Sequence, residues 1–436
     1  MKDKLMDGLL NFAGALQANR FMSAIKNGFT DLMPVIITGS FCTLISNVVL
    51  SVNPGYLSVA NIPGMAWLNK GTPIFTAANY GTMNMLAIGI CVLIAIHLAA
   101  SYGNHDNVVP IVALASFISL CSTSTTVKDA AGADIVVNNV LASTYTNAQG
   151  LFVAMLASIF STMLFCKLVN SGKLEIKLPE SVPSNVARSF SVLFPAALTI
   201  LCVSAVGWLF QLITGMTLFE AIRTFLQAPL QGVMTGLPGY LVYVCFANFL
   251  WIFGIHGQQT LSAVASPILL SAFAENELAY TSGQAVPNII CTPFNSIYTS
   301  PTGAGITGGL IIAILLFSKR DDYKQISKLS IPCAIFNINE PMTFGIPIVM
   351  NPMMAIPFIL TPVVCVSVSY FLTYIGFAGR IVVNAPWTTP PILAAFLDTA
   401  GSLGASVTQI IVLAISTLIY TPFVIASNKT ADKETD

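Results

Sequence analysis

Apolar runs long enough to cross a bilayer follow one another along this chain almost without pause. They lie near residues 31 to 51, 82 to 101, 108 to 122, 149 to 168, 189 to 213, 237 to 255, 258 to 274, 303 to 318, 353 to 377 and 403 to 427. About 30 Å of hydrocarbon needs roughly 20 helical residues, and the third run is short of that. Across 436 residues 8% are charged, where a soluble domain carries about 25%, and the mean hydropathy is +0.79. The pattern predicts an all-α polytopic membrane protein with about ten transmembrane helices. No soluble domain fits between the runs, so any chemistry is intramembrane or on short loops.

Lysine and arginine cluster in four places: Lys2, Lys4, Arg20 and Lys26; Lys167, Lys173, Lys177 and Arg188; Lys319, Arg320, Lys324 and Lys328; and Lys429 with Lys433. Short basic loops stay on the cytoplasmic side. With all four groups inside, the ten runs divide as four, four and two, the parity required of an inner-membrane protein with both termini cytoplasmic. Loops around Lys70, around Asp129 and Asp134, and around Glu275 and Glu277 then fall outside. At the N-terminus Leu5, Leu9, Phe12 and Leu16 follow helical spacing, interrupted by Asp7, Asn11, Gln17 and Arg20, which predicts an amphipathic helix on the leaflet rather than a targeting segment. A second such helix is predicted where Leu218, Ile222, Phe225 and Leu226 oppose Glu220, Arg223 and Gln227. The expected division is an N-terminal amphipathic segment 1–30, a first transmembrane half 31–214, a linker helix 215–236, a second transmembrane half 237–428 and a tail 429–436.

A formal charge of zero without a basic block excludes nucleic acid as a partner. Nine cysteines, spread evenly with no CxxC pair and no Cys/His cluster, read as packing residues, and neither a metal nor a cofactor is expected. Gly303, Gly305 and Gly308 satisfy GxGxxG, but no strand precedes them. Gly305 and Gly309 form GxxxG, the better reading being close helix packing.

Three stretches fit no spanning helix: 284–302 (QAVPNIICTPFNSIYTSPT), 330–352, and 381–400 (IVVNAPWTTPPILAAFLDTA). Their Pro, Asn, Thr and Gly survive at membrane depth only where protein or water satisfies the backbone, which predicts re-entrant or broken segments lining a pathway. Glu340 lies in the second of them. A charge at the bilayer centre costs roughly 2.5 to 3.5 kcal/mol on insertion scales, so it marks a site, or else holds a helix break. Asn337, Asn339 and Thr343 around it suit a neutral polyhydroxylated ligand, and desolvation would fit Glu340 to accept a proton. His256 sits between Gly254 and Gly257 with Trp251, Gln258 and Gln259 close by, a stacking ring with several donors and acceptors; His97 and His105 lack such company and read as structural. Trp387, with Asn384 in the same polar stretch, offers a flat face for a sugar ring or, alternatively, an anchor in the interfacial belt.

FNINEPMTFGIPIVMNP around Glu340, GIHGQQ around His256 and NAPWTTPP around Trp387 resemble the membrane-embedded IIC component of the bacterial phosphoenolpyruvate-dependent sugar phosphotransferase system, in its lactose/cellobiose/diacetylchitobiose family. The resemblance runs over essentially the whole length. It implies ten transmembrane helices, two re-entrant hairpins and amphipathic helices, in a homodimer built through the N-terminal half. It also implies uptake of a disaccharide and its phosphorylation on the C6 hydroxyl by a phosphocysteine of a IIB protein acting in trans, with IIA, HPr and enzyme I upstream. Carried over, Glu340 is the general base and binds the C6 hydroxyl, and His256 binds the sugar near the reacting end. Asn337, Asn339, Trp251, Gln258, Asn384 and Trp387 complete the expected sugar shell. The alternative is a proton-coupled secondary sugar transporter with Glu340 as the proton carrier.

Overall fold

The computed structural model of the chain describes residues 14–15, 18–52, 58–128, 133–176, 179, 182–183, 189–346, 348 and 351–432. Half of the amphipathic segment expected at 1–30 lies outside these residues, including Leu5, Leu9, Phe12 and Leu16. Lys2, Lys4, Asp129, Lys177, Arg188 and Lys433 do too. The described chain is helical throughout, apart from loops and one antiparallel pair of short strands, β1 (Ser124–Lys128) and β2 (Asp134–Asn138), in register Ser124 to Asn138. Among the described residues six helical stretches are long and apolar enough to cross a membrane, and counting two bent pairs as one span each gives up to eight. The count of ten is therefore approximate: Val108–Ile118 is a short apolar helix, and Gly257–Thr281 is diluted by Gln, Ser, Glu and Asn.

The chain divides into two compact units. One comprises residues 17–36 and 80–230; the other comprises 37–79 with 231–436. Helix α1 (Arg20–Val48) thus contributes to both.

The first unit is built from the start of α1, α2 (Leu86–Ser101), α3 (Val108–Ile118), α4 (Leu151–Asn170) and α5 (Leu193–Thr214). Helices α2 to α5 are nearly all apolar, and being helical they satisfy internally the backbone groups that lipid cannot. Ala99, Val109, Val112, Phe165 and Cys166 form a closed cluster between them. Ser158 Oγ, buried in this unit, donates to Cys91 O (2.7 Å), and at a more exposed position His97 Nε2 meets Asp31 Oδ2 (2.7 Å). Helix α6 (Leu218–Thr235) starts on a capping box, Thr217 accepting from Glu220 N while Glu220 Oε2 accepts from Thr217 N.

The second unit contains α7 (Leu237–Ile252), α8 (Gly257–Thr281), α9 (Thr307–Phe317), α10 (Asp321–Ile335), α11 (Glu340–Gly345), α12 (Pro352–Tyr374), α13 (Leu393–Asp398) and α14 (Leu403–Asp432). Trp251, Leu310, Ile314, Met342, Phe358 and Tyr420 anchor its core. The glycine pattern works as close packing. Gly309 brings α9 onto the Ser416 turn of α14 where a Cβ would collide, and Gly305, at φ +70°, lies flat against the Phe358 ring.

Glu275 and Glu277, expected in an external loop, sit instead within α8, which continues through them. The reason is that both carboxylates have protein donors, although Glu277 Oε2 is buried with no hydrogen-bond partner among the described residues. Glu277 Oε1 accepts from Thr43 Oγ1 (2.6 Å) and Asn79 Nδ2 (2.7 Å), and Glu275 Oε2 accepts from Gln231 Nε2 (2.6 Å) and Asn288 Nδ2 (3.1 Å). A helix whose acids have partners does not have to end at them.

Candidate functional site

Helices of the second unit are interrupted where the sequence loses its apolar continuity. Five non-glycine residues there hold positive φ: Thr302, Ile306, Asn337, Ile392 and Ala400. Left-handed backbone is costly for β-branched residues and persists only where neighbours enforce it. The enforcing contacts are present. Ile306 O accepts from Ser416 Oγ (2.7 Å), and Ile392 O from Ser406 Oγ (3.0 Å).

Asn337 ends α10 in the left-handed conformation at φ 63°, which its short amide tolerates. Its Nδ2 donates to Trp387 O (2.6 Å) and Thr389 O (3.0 Å), and its Oδ1 accepts from Thr302 N (2.7 Å). A single amide therefore fastens three breaks, at 300–306, 336–339 and 384–392. Asn339 Nδ2 donates to Ala304 O (2.7 Å), while Asn339 O accepts from Thr343 Oγ1 (3.0 Å). Both asparagines look inward at backbone, and Asn337 has no donor left for a ligand.

Glu340 follows as the first residue of α11, with Pro341 behind it. Its side chain is exposed rather than desolvated, and its carboxylate accepts no hydrogen bond among the described residues. Phe344, one turn on, is exposed on the same face, and its ring centroid lies 6.5 Å from that of Trp251. Trp251 is buried at the end of α7, 4.5 Å from the His256 ring, and its Nε1 donates to Gln258 Oε1 (2.7 Å).

His256 caps α8. Its Nδ1 accepts from Gln259 N (3.3 Å), which leaves Nε2 as the protonated nitrogen of the neutral ring. Gly257 makes this possible, since a Cβ there would strike the Ala247 carbonyl.

On the third break Trp387 is 58% exposed, its indole open to solvent while its carbonyl is held by Asn337. Asn384 is buried, and its Nδ2 has no hydrogen-bond partner among the described residues, so a donor stands ready. The break is shaped by Asp398, whose Oδ1 accepts from Ala385 N (2.7 Å) and whose carbonyl accepts from Val382 and Val383 N. Asp398, Phe344 and Thr302 were not among the residues singled out from sequence. For Asp398 the signal was present, a lone acid in an apolar stretch, the same argument that marks Glu340.

The unit thus presents an open carboxylate, a histidine of defined tautomer and exposed aromatic faces on broken membrane segments, a combination that accepts and donates to hydroxyls and stacks on a ring. This is the build of a membrane carrier for a polar solute. Residues 26–362 match the family described as "Phosphotransferase system, EIIC", and the chain belongs to that family, the membrane components of sugar phosphotransferase systems. It is 34% identical over 432 residues to the lichenan permease IIC component of Bacillus subtilis, covering 96% of this chain and 92% of that one. To the cellobiose-specific EIIC component of Geobacillus stearothermophilus it is 33% identical, over 99% of this chain and 96% of the relative. Its fold is similar to the crystal structure of the transporter ChbC, the IIC component of the N,N'-diacetylchitobiose-specific phosphotransferase system. The TM-score is 0.88 at 32% identity, with 98% of each chain covered.

Proposed function

We propose that the second unit binds a disaccharide of the cellobiose, diacetylchitobiose or lactose type and presents its C6 hydroxyl to a phosphocysteine on a separate IIB protein. The observation that carries this reading is Glu340, an exposed carboxylate with no protein donor among the described residues, set beside an aromatic and imidazole cluster. Glu340 accepts the C6 hydroxyl and takes its proton as the phosphoryl group arrives, in a transfer that depends chiefly on positioning and electrostatics. His256 donates through Nε2, Trp387 stacks on a pyranose face, and Asn384 and Gln258 hydrogen-bond the ring substituents. Asn337 and Asn339 hold the walls in place. Relatives named for cellobiose, lichenan and diacetylchitobiose support the substrate class. The homodimer, with both termini cytoplasmic and IIA, HPr and enzyme I upstream of IIB, belongs to the same proposal.

Glu340→Gln tests it. Phosphorylation by phospho-IIB should fall by roughly 100-fold to 10,000-fold while sugar binding stays measurable. Phosphorylation at the wild-type rate with unchanged pH dependence would remove Glu340 from the role of base.

A further inference from the structure

Against the breaks at 300–306 and 384–392 lies an open apolar cavity of about 400 Å³ whose walls include none of Glu340, His256, Asn384 and Trp387. Ile311 and Leu315 of α9, Ile331 and Ile335 of α10, and Thr302 and Pro390 of the breaks are among its walls. The walls are almost wholly hydrocarbon, so a sugar or a IIB loop would find no hydrogen-bond partner inside.

The polar end of the same hairpin supplies the second observation. Residues 324, 328, 331 and 335 are spaced by four, three and four, which at about 100° per residue sets them within a stripe roughly 60° wide. The face of α10 that lines the cavity therefore also carries Lys324 and Lys328. Neither lysine is in an ion pair among the described residues. Arg320, the neighbouring cation, is committed. Its Nε and Nη2 nitrogens donate to Asp322 (3.2 and 2.7 Å), holding that carboxyl below its ordinary range, and its guanidinium lies over the Tyr323 ring. Lys324 stands seven residues from Ile331, about 10 Å along the helix. That exceeds the roughly 5 to 7.5 Å of interfacial layer in each leaflet, so a phosphate at Lys324 leaves Ile331 within reach of the acyl chain.

We propose that this face is a binding site for an anionic phospholipid, its phosphate on Lys324 and Lys328 and one acyl chain in the cavity between α9 and α10. Charge complementarity selects this occupant, because a zwitterionic lipid gains little from two unpaired lysines and a soluble protein would leave the apolar chamber unfilled. The site also bears on sugar binding, a consequence that rests on the function proposed above. Thr302 gives its N–H to Asn337, and Pro390 follows Thr389, whose carbonyl Asn337 holds. An acyl chain against Thr302 and Pro390 presses together the two segments that this amide ties, and so favours the geometry that presents Trp387.

The test uses the whole protein in bilayer nanodiscs with a phosphatidylglycerol carrying a diazirine in its acyl chain. Photolabelling should concentrate on residues 308–335 and be competed by plain phosphatidylglycerol but not by phosphatidylcholine. In the Lys324→Gln/Lys328→Gln double variant, half-maximal labelling should need about 25-fold more lipid, roughly fivefold per lysine, and Lys→Arg at both positions should restore it. Labelling spread evenly over exposed helices, or indifferent to the lysine pair, would reduce the site to ordinary boundary lipid and overturn the proposal. So would a double variant that labels normally yet loses phosphoryl transfer in every lipid, which would make the lysines a IIB docking face. Labelling involves no sugar, so it stands or falls separately from the proposed function. Disaccharide affinity in the two lipids then tests the coupling, which requires tighter binding with phosphatidylglycerol in wild type and none of that gain in the glutamine pair.

Discussion

Replacing Asn337 by alanine removes three hydrogen bonds from one place: two donated to Trp387 O and Thr389 O, and one accepted from Thr302 N. These groups are only partly buried, so about 1 kcal/mol each is the appropriate scale, about 3 kcal/mol together. Alanine must also hold φ near 63°, where asparagine is at ease, which adds about 1 kcal/mol. The expected loss is therefore about 4 kcal/mol for Asn337→Ala. Glycine loses the same bonds without the left-handed penalty and should be about 1 kcal/mol less destabilised than alanine. Aspartate would still accept from Thr302 N but would set a carboxylate against two carbonyls, so Asn337→Asp should fall near alanine. Denaturant unfolding in mild detergent measures the order, and disaccharide affinity measures the consequence for the site. An alanine variant within about 1 kcal/mol of wild type, or one more stable than glycine, would refute both the clasp and the strain argument.

His256→Ala should weaken disaccharide binding by about 1 to 3 kcal/mol in equilibrium dialysis, and His256→Ser, which can still cap α8, should match that loss with less effect on stability; equal binding by wild type and both variants would make His256 structural. His97→Ala, which breaks only the Asp31 contact, should leave binding unchanged. Glu277→Ala removes an acceptor shared by the Thr43 hydroxyl and the Asn79 amide, both of which keep Gly39 O, and should cost about 2 kcal/mol in thermal unfolding, whereas Glu277→Gln keeps an acceptor and should cost less than about 1 kcal/mol, the two being indistinguishable if the carboxylate is idle. In a cysteine-free background, cysteines at Lys173 and Lys324 should resist an impermeant thiol reagent applied to intact cells while one at Asp134 reacts; labelling at Lys324 from outside would break the proposed topology.

The helices of this protein were legible because hydrocarbon imposes length and apolarity on each one separately, so a local reading of α4, α5 or α12 suffices. The breaks were legible because Pro, Asn, Thr and Gly crowd together there, whereas single prolines are carried inside α1, α8 and α14 without ending them. Partnership was not legible. Nothing local says that Asn337 turns its amide to carbonyls 50 and 52 residues away, or that the side chain left open is Glu340. Glu277 misled for the same reason, since AENELAYTSGQ reads as a polar loop until Thr43, 234 positions distant, fills its acceptor.

The Asn337 clasp also constrains how the protein is made. Thr302 emerges 35 residues before Asn337, and Trp387 a further 50 after it. As synthesis proceeds, Thr302 N–H finds Asn337 once both are made, but the two amide hydrogens of Asn337 enter the membrane before their acceptors exist. They must wait beside the insertion machinery, or beside water, until residues 384–389 arrive. Residues 387–389 thus close the clasp, and a ribosome stalled before Trp387 holds a product in which α1 to α12 have been made but α14 and the binding face have not. Quality control that recognises unsatisfied intramembrane polar groups would meet this protein in that interval, and a slow codon run there would lengthen the exposure.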